Sequence, residues 1–593
     1  MNYAAIIHNS CDNMCYPLDY DNIVISVTTG KDIKKVILHY GDPFSNGILG
    51  GEESWDGQTL EMTEVTELRH SYIWSAKIHL PYKRCRYFFE IHSEDEVCYF
   101  TEDGAKSPEI FEQADSNRPD FYFPWLNPSD VYMPPEWVNE TIWYQIFPER
   151  FCNGDPAISP KYVKKKWGTS TTVISYKDFY GGDIKGITDK LDYLMELGIT
   201  GLYLTPINSS CSNHKYNTRD YYEIDPNFGD VNAVKTFVRE AHKRGMKVMF
   251  DGVFNHSGHD FAPWQDVIKN GPKSKYYDWF MINKWPFEYN KNNWGINAKK
   301  GNYYTFGFFD GMPKLNTNNP EVIDYFLDVC TYWVETFDID AIRLDVANEV
   351  SHKFCKALRH RMDSLKEDFF ILGEIWHNSI QWLRGDEFDS VMNYTFQTLI
   401  NDFWAIESYT KKDFMYGVNQ CFSIYPRQIN SILFNLLDSH DTIRLITKLG
   451  NIDKFYQQLT VLFTMPGTVC IYYGTEIALE GGYDPDCRRC MPWDEIESHK
   501  FDDRIDKVKT LITARKAKAA LRNQNYCFND LIDDDRVISY TKESESECIQ
   551  VILNCSTNDY TIDVKPDDII FCNLYENLTL KANGTIVYKT ERG

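Results

Sequence analysis

The sequence has no apolar run that approaches the roughly 20 residues needed for a membrane-spanning helix. Its first residues, MNYAAIIHNSCDNM, contain no basic region and an apolar core of only about four residues, so they do not resemble a secretory signal peptide. We therefore expect a cytoplasmic protein with no membrane partner.

Positive charge is scarce. The 593 residues include 62 Lys and Arg against 86 Asp and Glu, which gives a formal net charge of −24. A chain this acidic is a poor binder of nucleic acid or anionic membranes, so we expect neither as a partner and favour neutral or cationic ligands. Solubility alone explains the acidity equally well.

A disulfide framework, internal repeats and low-complexity tracts are also missing. The 16 cysteines are scattered without regular spacing, which predicts reduced thiols in a chain that lacks a signal peptide. One CxxC pair is present, Cys487 and Cys490 in CRRC. A zinc site would need a second pair nearby, and none is evident, so we expect no metal or redox role there.

Three regions differ in their patterns. The first 125 residues or so alternate short β-like runs with turns, which predicts a β-sandwich over residues 1–130, and the Pro- and aromatic-rich stretch YFPWLNPSDVYMPPEW follows as a linker. Residues 131–509 alternate strand-like and helical segments. Residues 510–593 are β-rich again and predict a second β-sandwich.

The middle region contains eight strand candidates separated by helical patterns, which predicts a (β/α)₈ TIM barrel, an α/β fold. The candidates are TIWYQIF, GLYLTP, KVMFDGVFNH, DAIRLDV, FFILGEIW, FDSVMNY, SILFNLLDSHD and TVCIYYG. The connection after the third candidate is too long for a simple loop and is rich in aromatic residues and Asn. We interpret it as a small subdomain inserted at about residues 256–316.

Polar and charged residues recur at the carboxyl ends of several candidate strands, where barrels of this type collect their chemistry. They are Asp251, Asn255 and His256; Arg343 and Asp345; Glu374, Trp376 and His377; and Asp438, His440 and Asp441. One buried Asp is as easily a structural hydrogen-bond acceptor. Four such strand ends indicate a catalytic pocket.

Three carboxylates with an arginine and two histidines suit retaining glycoside hydrolysis. One carboxylate attacks the anomeric carbon, and a protonated second one, about 5 Å away, donates to the leaving oxygen. We expect Arg343 to hold Asp345 ionised as the nucleophile. Glu374, which faces two other carboxylates, is expected to keep its proton as the general acid. Asp441 then stabilises the transition state.

Donors and aromatic rings for sugar recognition are present as well. His256 and His440 are candidate donors to sugar hydroxyls, and Tyr216 and Trp376 suit the apolar faces of glucose rings.

Six ordered motifs between Ile142 and Asp494 resemble those of the α-amylase superfamily of glycoside hydrolases. The main motifs are DGVFNH (251–256), AIRLDVANE (341–349), GEIW (373–376) and LLDSHD (436–441), and the accessory ones are GGDIKGI (181–187) and MPKLN (312–316). The VANE and MPKLN variants and the three-part layout are similar to the neopullulanase, cyclomaltodextrinase and maltogenic amylase branch.

The resemblance implies roles position by position. It implies Asp345 as nucleophile, Glu374 as acid/base and Asp441 as transition-state stabiliser. It implies that the −1 sugar is contacted by Arg343, His256, His440, His214 and Tyr216. It implies that the acceptor subsites are lined by Trp376, Asn348 and Glu349. For Trp376 the alternative is a rim aromatic that packs on the insertion, and for Glu349 it is a solvated helix start.

Members of this branch often bind calcium after the first barrel strand, and the candidate ligands here are Asn153, Asp155, Gly181 and Asp183. Ile158 and Ser159 stand where further oxygen ligands are expected. Because calcium prefers six to eight oxygens, the site should be weak or empty, and Asp183 alternatively caps the helix that follows it. We expect no required cofactor.

The resemblance implies hydrolysis of α-1,4 and some α-1,6 bonds in cyclodextrins, pullulan or maltodextrins, with maltose or panose as main products. Transglycosylation should compete, because a sugar acceptor can capture the covalent intermediate. The resemblance also implies a homodimer formed through the N-terminal domain. The alternatives are a related α-1,6-glucosidase or transglucosidase, and a catalytically inactive carbohydrate-binding scaffold.

Overall fold

The structure is a computed structural model that describes residues 1–45, 57–113, 118–164, 166–289 and 295–591. It divides into two compact units, one of residues 1–134, 383–385 and 409–430 and the other of residues 135–382, 386–408 and 431–593. Among the described residues, no helix combines the length and the apolar character needed to cross a membrane.

The N-terminal unit contains two antiparallel sheets. One has the strand order Cys15–Pro17, Asn22–Gly30, Ser71–His79, Glu64–Glu67. The other has the order Gln58–Glu61, Ile33–Gly41, Cys85–Ser93, Val97–Thr101, Gly104–Lys106, and Phe121–Phe123 also pairs with Cys85–Ser93. Alternating apolar side chains from both sheets form one core, which includes Ile25, Val27, Leu38, Trp74, Tyr87 and Phe89. The predicted sandwich is confirmed.

Short helices complete this unit, and two of them come from far along the chain. They are Tyr3–Ala5, Pro108–Glu112, Pro128–Asp130, Lys411–Ser423 and Arg427–Asn430. The last two lie inside the range predicted for the barrel domain, yet they pack on the sandwich, because Asn419 donates to the Glu67 carbonyl and Arg427 forms an ion pair with Glu64.

Eight parallel strands of the second unit form the barrel. They are β1 (Ile142–Ile146), β2 (Gly201–Leu204), β3 (Lys247–Gly252), β4 (Ala341–Leu344), β5 (Phe370–Gly373), β6 (Ser390–Val391), β7 (Phe434–Asn435) and β8 (Thr468–Tyr472). β8 pairs with β1, and a parallel bridge between Met392 and Phe434 closes the sheet between β6 and β7. The predicted barrel is therefore confirmed. Nearly every strand residue is buried, which explains why the strands have continuous apolar runs rather than alternating ones.

Helices follow the strands and cover the barrel. They are Glu136–Glu140, Pro148–Phe151, Ile184–Asp189, Leu191–Leu197, Val231–Lys243, Pro320–Phe337, His352–Leu365, Tyr394–Ala405, Leu445–Leu449, Ile452–Thr464, Trp493–Glu497, Asp502–Ala517 and Ala519–Arg522. Pro320–Phe337 illustrates how the sequence sets a helix start: Asn319 caps it by accepting from the Glu321 amide, and Pro320 occupies the first turn.

Short 3₁₀ turns and one small hairpin occupy the loops above the barrel. The turns are Ala347–Glu349, Ile380–Trp382, Thr475–Ile477 and Asp486–Arg488, and the hairpin pairs Asn208–Ser210 with Thr218–Ile224.

The insertion after β3 is a small aromatic subdomain. Its helices are Ala262–Asn270, Gly271–Lys273, Tyr277–Trp279 and Ile296–Lys299; residues 290–294 of the predicted 256–316 range lie outside the described residues. Trp264 packs against the rings of Phe280, Phe287 and Tyr303, and isolated bridges such as the one between His256 and Lys314 connect its two ends.

The C-terminal β domain has six strands: Tyr526–Phe528, Val537–Glu543, Cys548–Asn554, Tyr560–Thr561, Ile569–Glu576 and Thr579–Thr590. The predicted C-terminal β domain is confirmed, and its strands are hydrogen-bonded into one connected antiparallel sheet. The long strand Thr579–Thr590 makes this connection, because it pairs with Cys548–Asn554 along one part and with Tyr560–Thr561 along another.

Candidate active site

The carboxyl ends of β3, β4 and β5 bring three acidic side chains and one arginine together. Asp251 lies opposite Arg343 in the pairing of β3 with β4, and Asp345 and Glu374 directly follow β4 and β5. Main-chain hydrogen bonds of 3.0 Å from Asp345 and Glu374 to the preceding strands fix where the chain leaves the sheet. All four side chains are buried, so their charges must compensate one another.

One guanidinium serves all three carboxylates. Nη1 of Arg343 donates to both oxygens of Asp251, at 2.9 and 3.1 Å, and to Oδ1 of Asp345 at 2.9 Å. Nη2 lies 2.8 Å from Oε2 of Glu374, a charge contact in which the N–H is not aligned for a hydrogen bond. With every carboxylate ionised, this buried group would carry two uncompensated negative charges.

Burial is the largest influence on the pKa values of Asp251 and Asp345, and the neighbouring charges come second. Burial raises the pKa of Asp345 well above its ordinary value; Arg343 lowers this pKa, whereas Glu374 and Asp251 raise it further. Burial also raises the pKa of Asp251 to about 6, although Arg343 and a hydrogen bond from Tyr203 oppose the shift. In the substrate-free site, burial therefore opposes the ionisation of Asp345 that Arg343 favours, and the role of Arg343 in holding Asp345 ionised stays a prediction.

Glu374 is held by two further donors. Its Oε2 accepts from the Val346 amide at 2.9 Å, and its Oε1 accepts from the indole Nε1 of Trp376 at 3.0 Å. The Trp376 ring is 50% exposed and stacks on the buried Tyr394, with ring centroids 3.5 Å apart and planes 5° from parallel. Trp376 therefore packs on the segment after β6 while it orients Glu374.

His440 belongs to a hydrogen-bonded chain that crosses the floor of the site. Its Nδ1 lies 2.8 Å from Nε2 of Gln145, its Nε2 lies 2.6 Å from the Tyr216 hydroxyl, and that hydroxyl lies 3.0 Å from Asp251. Burial, with nearby arginines such as Arg488, lowers the pKa of His440 well below its ordinary value, so the ring is neutral. Because the Gln145 amide donates to Nδ1, the ring proton lies on Nε2, where it can be donated.

The other two predicted histidines are neutral as well, since burial lowers the pKa of each to about 3. Nε2 of His256 lies 3.1 Å from the Tyr216 carbonyl, and the His256 ring stacks on Phe306. Nδ1 of His214 accepts from the Tyr216 amide at 3.1 Å. Both rings therefore position the segment that carries Tyr216.

Arg488 is a site residue that sequence reasoning missed. Its Nη2 donates to Oδ1 of Asp441 at 3.1 Å, its Nε donates to the His440 carbonyl at 2.8 Å, and its Nη1 lies 2.9 Å from Asp484. Arg488 lies in the motif CRRC, whose two cysteines are buried free thiols, and the Cys487 thiol contacts the His440 carbonyl. The sequence feature that could have identified Arg488 is the pair of arginines between the two cysteines.

These residues line one cavity of about 810 Å³. Among the predicted residues, it is lined by His214, Tyr216, His256, Asp345, Asn348, Glu374, Trp376, His440 and Asp441. Residues added by the structure are Tyr176, Phe306, Phe308, Phe309, Met312, Asp484 and Arg488. Acidic groups at the base and aromatic and apolar side chains at the walls suit a sugar chain, whose ring faces are apolar and whose edges are polar.

The two acceptor candidates after β4 differ. Asn348 is exposed and lines the cavity, whereas the exposed carboxylate of Glu349 lies 3.2 Å from Nζ of Lys314. Lys314, from the MPKLN motif, also donates to Asn255, so Glu349 helps to join the insertion to the loops after β3 and β4.

Two of the predicted calcium ligands, Asn153 and Asp183, already form hydrogen bonds within the protein. Oδ1 of Asp183 caps the helix Ile184–Asp189 by accepting from the Gly186 amide at 2.6 Å, and Oδ2 accepts from the amides of Gly154 and Asp155 at 3.0 and 2.8 Å. Both carboxylate oxygens are thus engaged by N–H donors, while Asn153 directs its amide nitrogen at Ser159. The helix-capping alternative for Asp183 accounts for these contacts.

Comparisons with known proteins agree with this architecture. Residues 145–543 match the alpha amylase catalytic domain and residues 1–127 match the alpha amylase N-terminal Ig-like domain. The chain is 44% identical to a cyclomaltodextrinase of Geobacillus thermopakistaniensis (strain MAS1), covering 94% of this chain and 92% of that one. It is 41% identical to an intracellular maltogenic amylase of Bacillus subtilis, covering 93% and 91%.

A solved cyclomaltodextrinase structure is 36% identical, with a TM-score of 0.87 over 100% of this chain and 98% of that chain. Family model, relatives and structure cover most of the chain and agree with one another. The chain belongs to the alpha-amylase family of glycoside hydrolases, among the cyclomaltodextrinases, maltogenic amylases and neopullulanases.

Proposed function

We propose that the protein is a retaining α-glucan hydrolase that cleaves α-1,4 and some α-1,6 glucosidic bonds in cyclodextrins, pullulan and maltodextrins. Its main products are maltose or panose, and transfer to a sugar acceptor competes with hydrolysis. The proposal rests on the position of two carboxyl groups beside one guanidinium. Asp345 lies 2.9 Å from Nη1 of Arg343, and Glu374 lies 2.8 Å from Nη2. Such closely spaced carboxyls suit the retaining mechanism rather than the wider spacing of inverting enzymes.

In the proposed reaction, the Asp345 carboxylate attacks the anomeric carbon and forms a glycosyl ester. Glu374 gives its proton to the oxygen of the departing sugar, so the C–O bond breaks without forming an alkoxide. Glu374 then removes a proton from water or from an acceptor hydroxyl, and that oxygen displaces Asp345. The protein and its proton count return to their starting state.

Asp441 supplies negative charge beside the oxocarbenium-like transition state and accepts from sugar hydroxyls. Arg488 holds Asp441 in place, and the Nε2 atom of His440 lies 3.1 Å from Oδ2 of Asp441. Binding of a glucose ring over Tyr216 places its hydroxyls within reach of these groups. Trp376 and Asn348, on the other side of the acid, are proposed to receive the acceptor sugar.

Product analysis tests the proposal. Purified protein is incubated separately with β-cyclodextrin, pullulan and soluble starch, and released sugars are followed by chromatography while proton NMR records the anomeric form first released. Ring opening with maltose accumulating and α-anomers appearing first is the expected result. Release of glucose alone from α-1,6-linked substrates favours the glucosidase alternative, and release from none of the three favours a scaffold.

We infer that catalysis requires no metal, because the Asp183 oxygens are engaged by backbone amides. Dialysis against EDTA is expected to leave the rate of β-cyclodextrin hydrolysis unchanged. A loss of activity that Ca²⁺ restores contradicts this inference.

We also propose a cytoplasmic homodimer that forms through the N-terminal unit. The relative from Bacillus subtilis named as intracellular supports the location. Exposed apolar side chains of the N-terminal unit, among them Tyr82, Trp125 and Met133, support the interface. Light scattering after size exclusion is expected to give twice the chain mass of 69.5 kDa, and a single-chain mass excludes the dimer.

A further inference from the structure

Two loops above the barrel bring a thiol, an imidazole and a carboxylate together outside the catalytic cavity. Cys211 lies between the strands of the hairpin that follows β2, and His259 and Asp260 lie in the segment that follows β3. One potential ligand atom from each residue lies within 4.8 Å of the others. Within the described part of the chain, this is the one group of three or more His, Cys, Asp and Glu side chains that meets this criterion.

We propose that Cys211, His259 and Asp260 form a binding site for a soft divalent transition metal, with Zn²⁺ as the best match. A thiolate and an imidazole select zinc over calcium or magnesium, which prefer sets made only of oxygens. Three protein ligands leave one tetrahedral position for solvent, and Cys211 and Asp260 are exposed enough to permit it.

The geometry requires only side-chain adjustment. Tetrahedral zinc bonds of about 2.0 to 2.3 Å place ligand atoms about 3.3 to 3.8 Å apart. Nε2 of His259 already lies 3.0 Å from Oδ1 of Asp260, so these two atoms are close to the required separation. The distances from the Cys211 sulfur to the other two ligand atoms must then shorten to this separation. The thiol is exposed and can rotate about its side-chain bond.

A second layer of contacts already orients the thiol. Nδ2 of Asn217 donates to Sγ of Cys211 at 3.1 Å, and Oδ1 of Asn217 is held by hydroxyls of Ser210 and Ser212. An N–H donor directed at the sulfur orients it, as outer-layer contacts orient metal ligands. Asn217 is buried, so the donor keeps its position.

The site also connects two loops of the catalytic cavity. The Gly258 amide donates to the Thr218 carbonyl at 2.8 Å, which holds the segments together beside the ligands. The segment from Cys211 to Asn217 carries His214 and Tyr216, which line the cavity. Bound metal would therefore fix the base of the loop that presents Tyr216.

The test measures metal binding rather than activity. The reduced full-length protein, treated with chelator and then freed of it, is titrated with Zn²⁺ by calorimetry and with Cd²⁺, whose bond to a thiolate absorbs in the ultraviolet. Cys211→Ser and His259→Ala remove one ligand each. Cys527→Ser is the matched control, because Cys527 is another exposed thiol in a different domain.

The expected result is one tight site per chain, with thiolate absorption, that is weakened more than about 100-fold in each ligand variant. Loss of an outer-layer contact alone typically weakens metal binding 10- to 100-fold, and a direct ligand contributes more. Cys527→Ser is expected to keep the site. Equal binding in wild type and Cys211→Ser, or no Zn²⁺ binding by the wild type, overturns the proposal. Circular dichroism of each variant excludes misfolding as the cause of a loss.

Discussion

Arg488 holds Asp441 by a hydrogen bond of 3.1 Å from Nη2 to Oδ1, although 46 residues of chain separate the two. The same side chain donates from Nε to the carbonyl of His440. One buried arginine thereby fixes both the carboxylate proposed to stabilise the transition state and the main chain of the neighbouring histidine.

Arg488→Ala is expected to reduce kcat/KM for β-cyclodextrin by about 30-fold, which corresponds to about 2 kcal/mol, because a charged hydrogen bond to a catalytic carboxylate is lost. Arg489→Ala is the matched control, since the adjacent arginine forms its ion pair with Asp486 instead. Steady-state kinetics with β-cyclodextrin measure kcat/KM for both variants. An equal decrease in kcat/KM in the two variants would mean that Arg488 has no specific effect on Asp441.

Asp345→Asn is expected to lower turnover by several orders of magnitude with the fold retained, because the amide is a far weaker nucleophile at the anomeric carbon. The side chain is isosteric and still accepts from Arg343. Hydrolysis rates on β-cyclodextrin and circular dichroism are the measurements. Near-normal turnover in this variant would falsify the assignment of the nucleophile.

Asp251 should make the protein less stable as the pH rises. Its pKa is about 6 in the folded protein against 3.8 for the free group, so the folded state binds more protons between these values and stability falls as the pH increases through them. Asp251→Asn removes this titration. The difference in melting temperature, variant minus wild type, is expected to increase from pH 4 to pH 6.5.

Melting curves at half-unit intervals of pH measure this trend, and Asp338→Asn, which alters an exposed carboxylate, is the control. A difference that stays constant, or that decreases with pH, would show that Arg343 already keeps Asp251 ionised in the folded protein.

Much of the site could be predicted because the residues that form it lie next to strand ends in the sequence. Asp345 follows β4 immediately, and Arg343 lies two residues earlier on the same face, so local spacing is enough to bring them together. Barrel topology then brings Glu374 beside them, since parallel strands end on the same side.

Features that depend on distant pairing were not predictable. The contact of Arg488 with Asp441 joins two loops, and the helix Lys411–Ser423 packs on the sandwich strand Glu64–Glu67, which precedes it by over 300 residues. Nothing in the local pattern of either segment identifies its partner. The direction of the Asp345 pKa also depends on total burial, which exceeds the effect of the one adjacent arginine.

Trp376 offers a test that separates two functions of one side chain. It donates from the indole nitrogen to Glu374 and stacks on Tyr394, and it lines the cavity with half of its surface exposed. Trp376→Phe removes the donor but keeps a ring to stack, so turnover should decrease about 10-fold while the ratio of transfer to hydrolysis changes little. Trp376→Ala removes both, so the transfer ratio should decrease as well, because acceptor sugars lose their aromatic platform. Chromatography of products formed from maltotriose, with and without added glucose as acceptor, measures both quantities. If the alanine variant transfers as efficiently as the phenylalanine variant, the ring does not bind the acceptor and Trp376 acts only on Glu374.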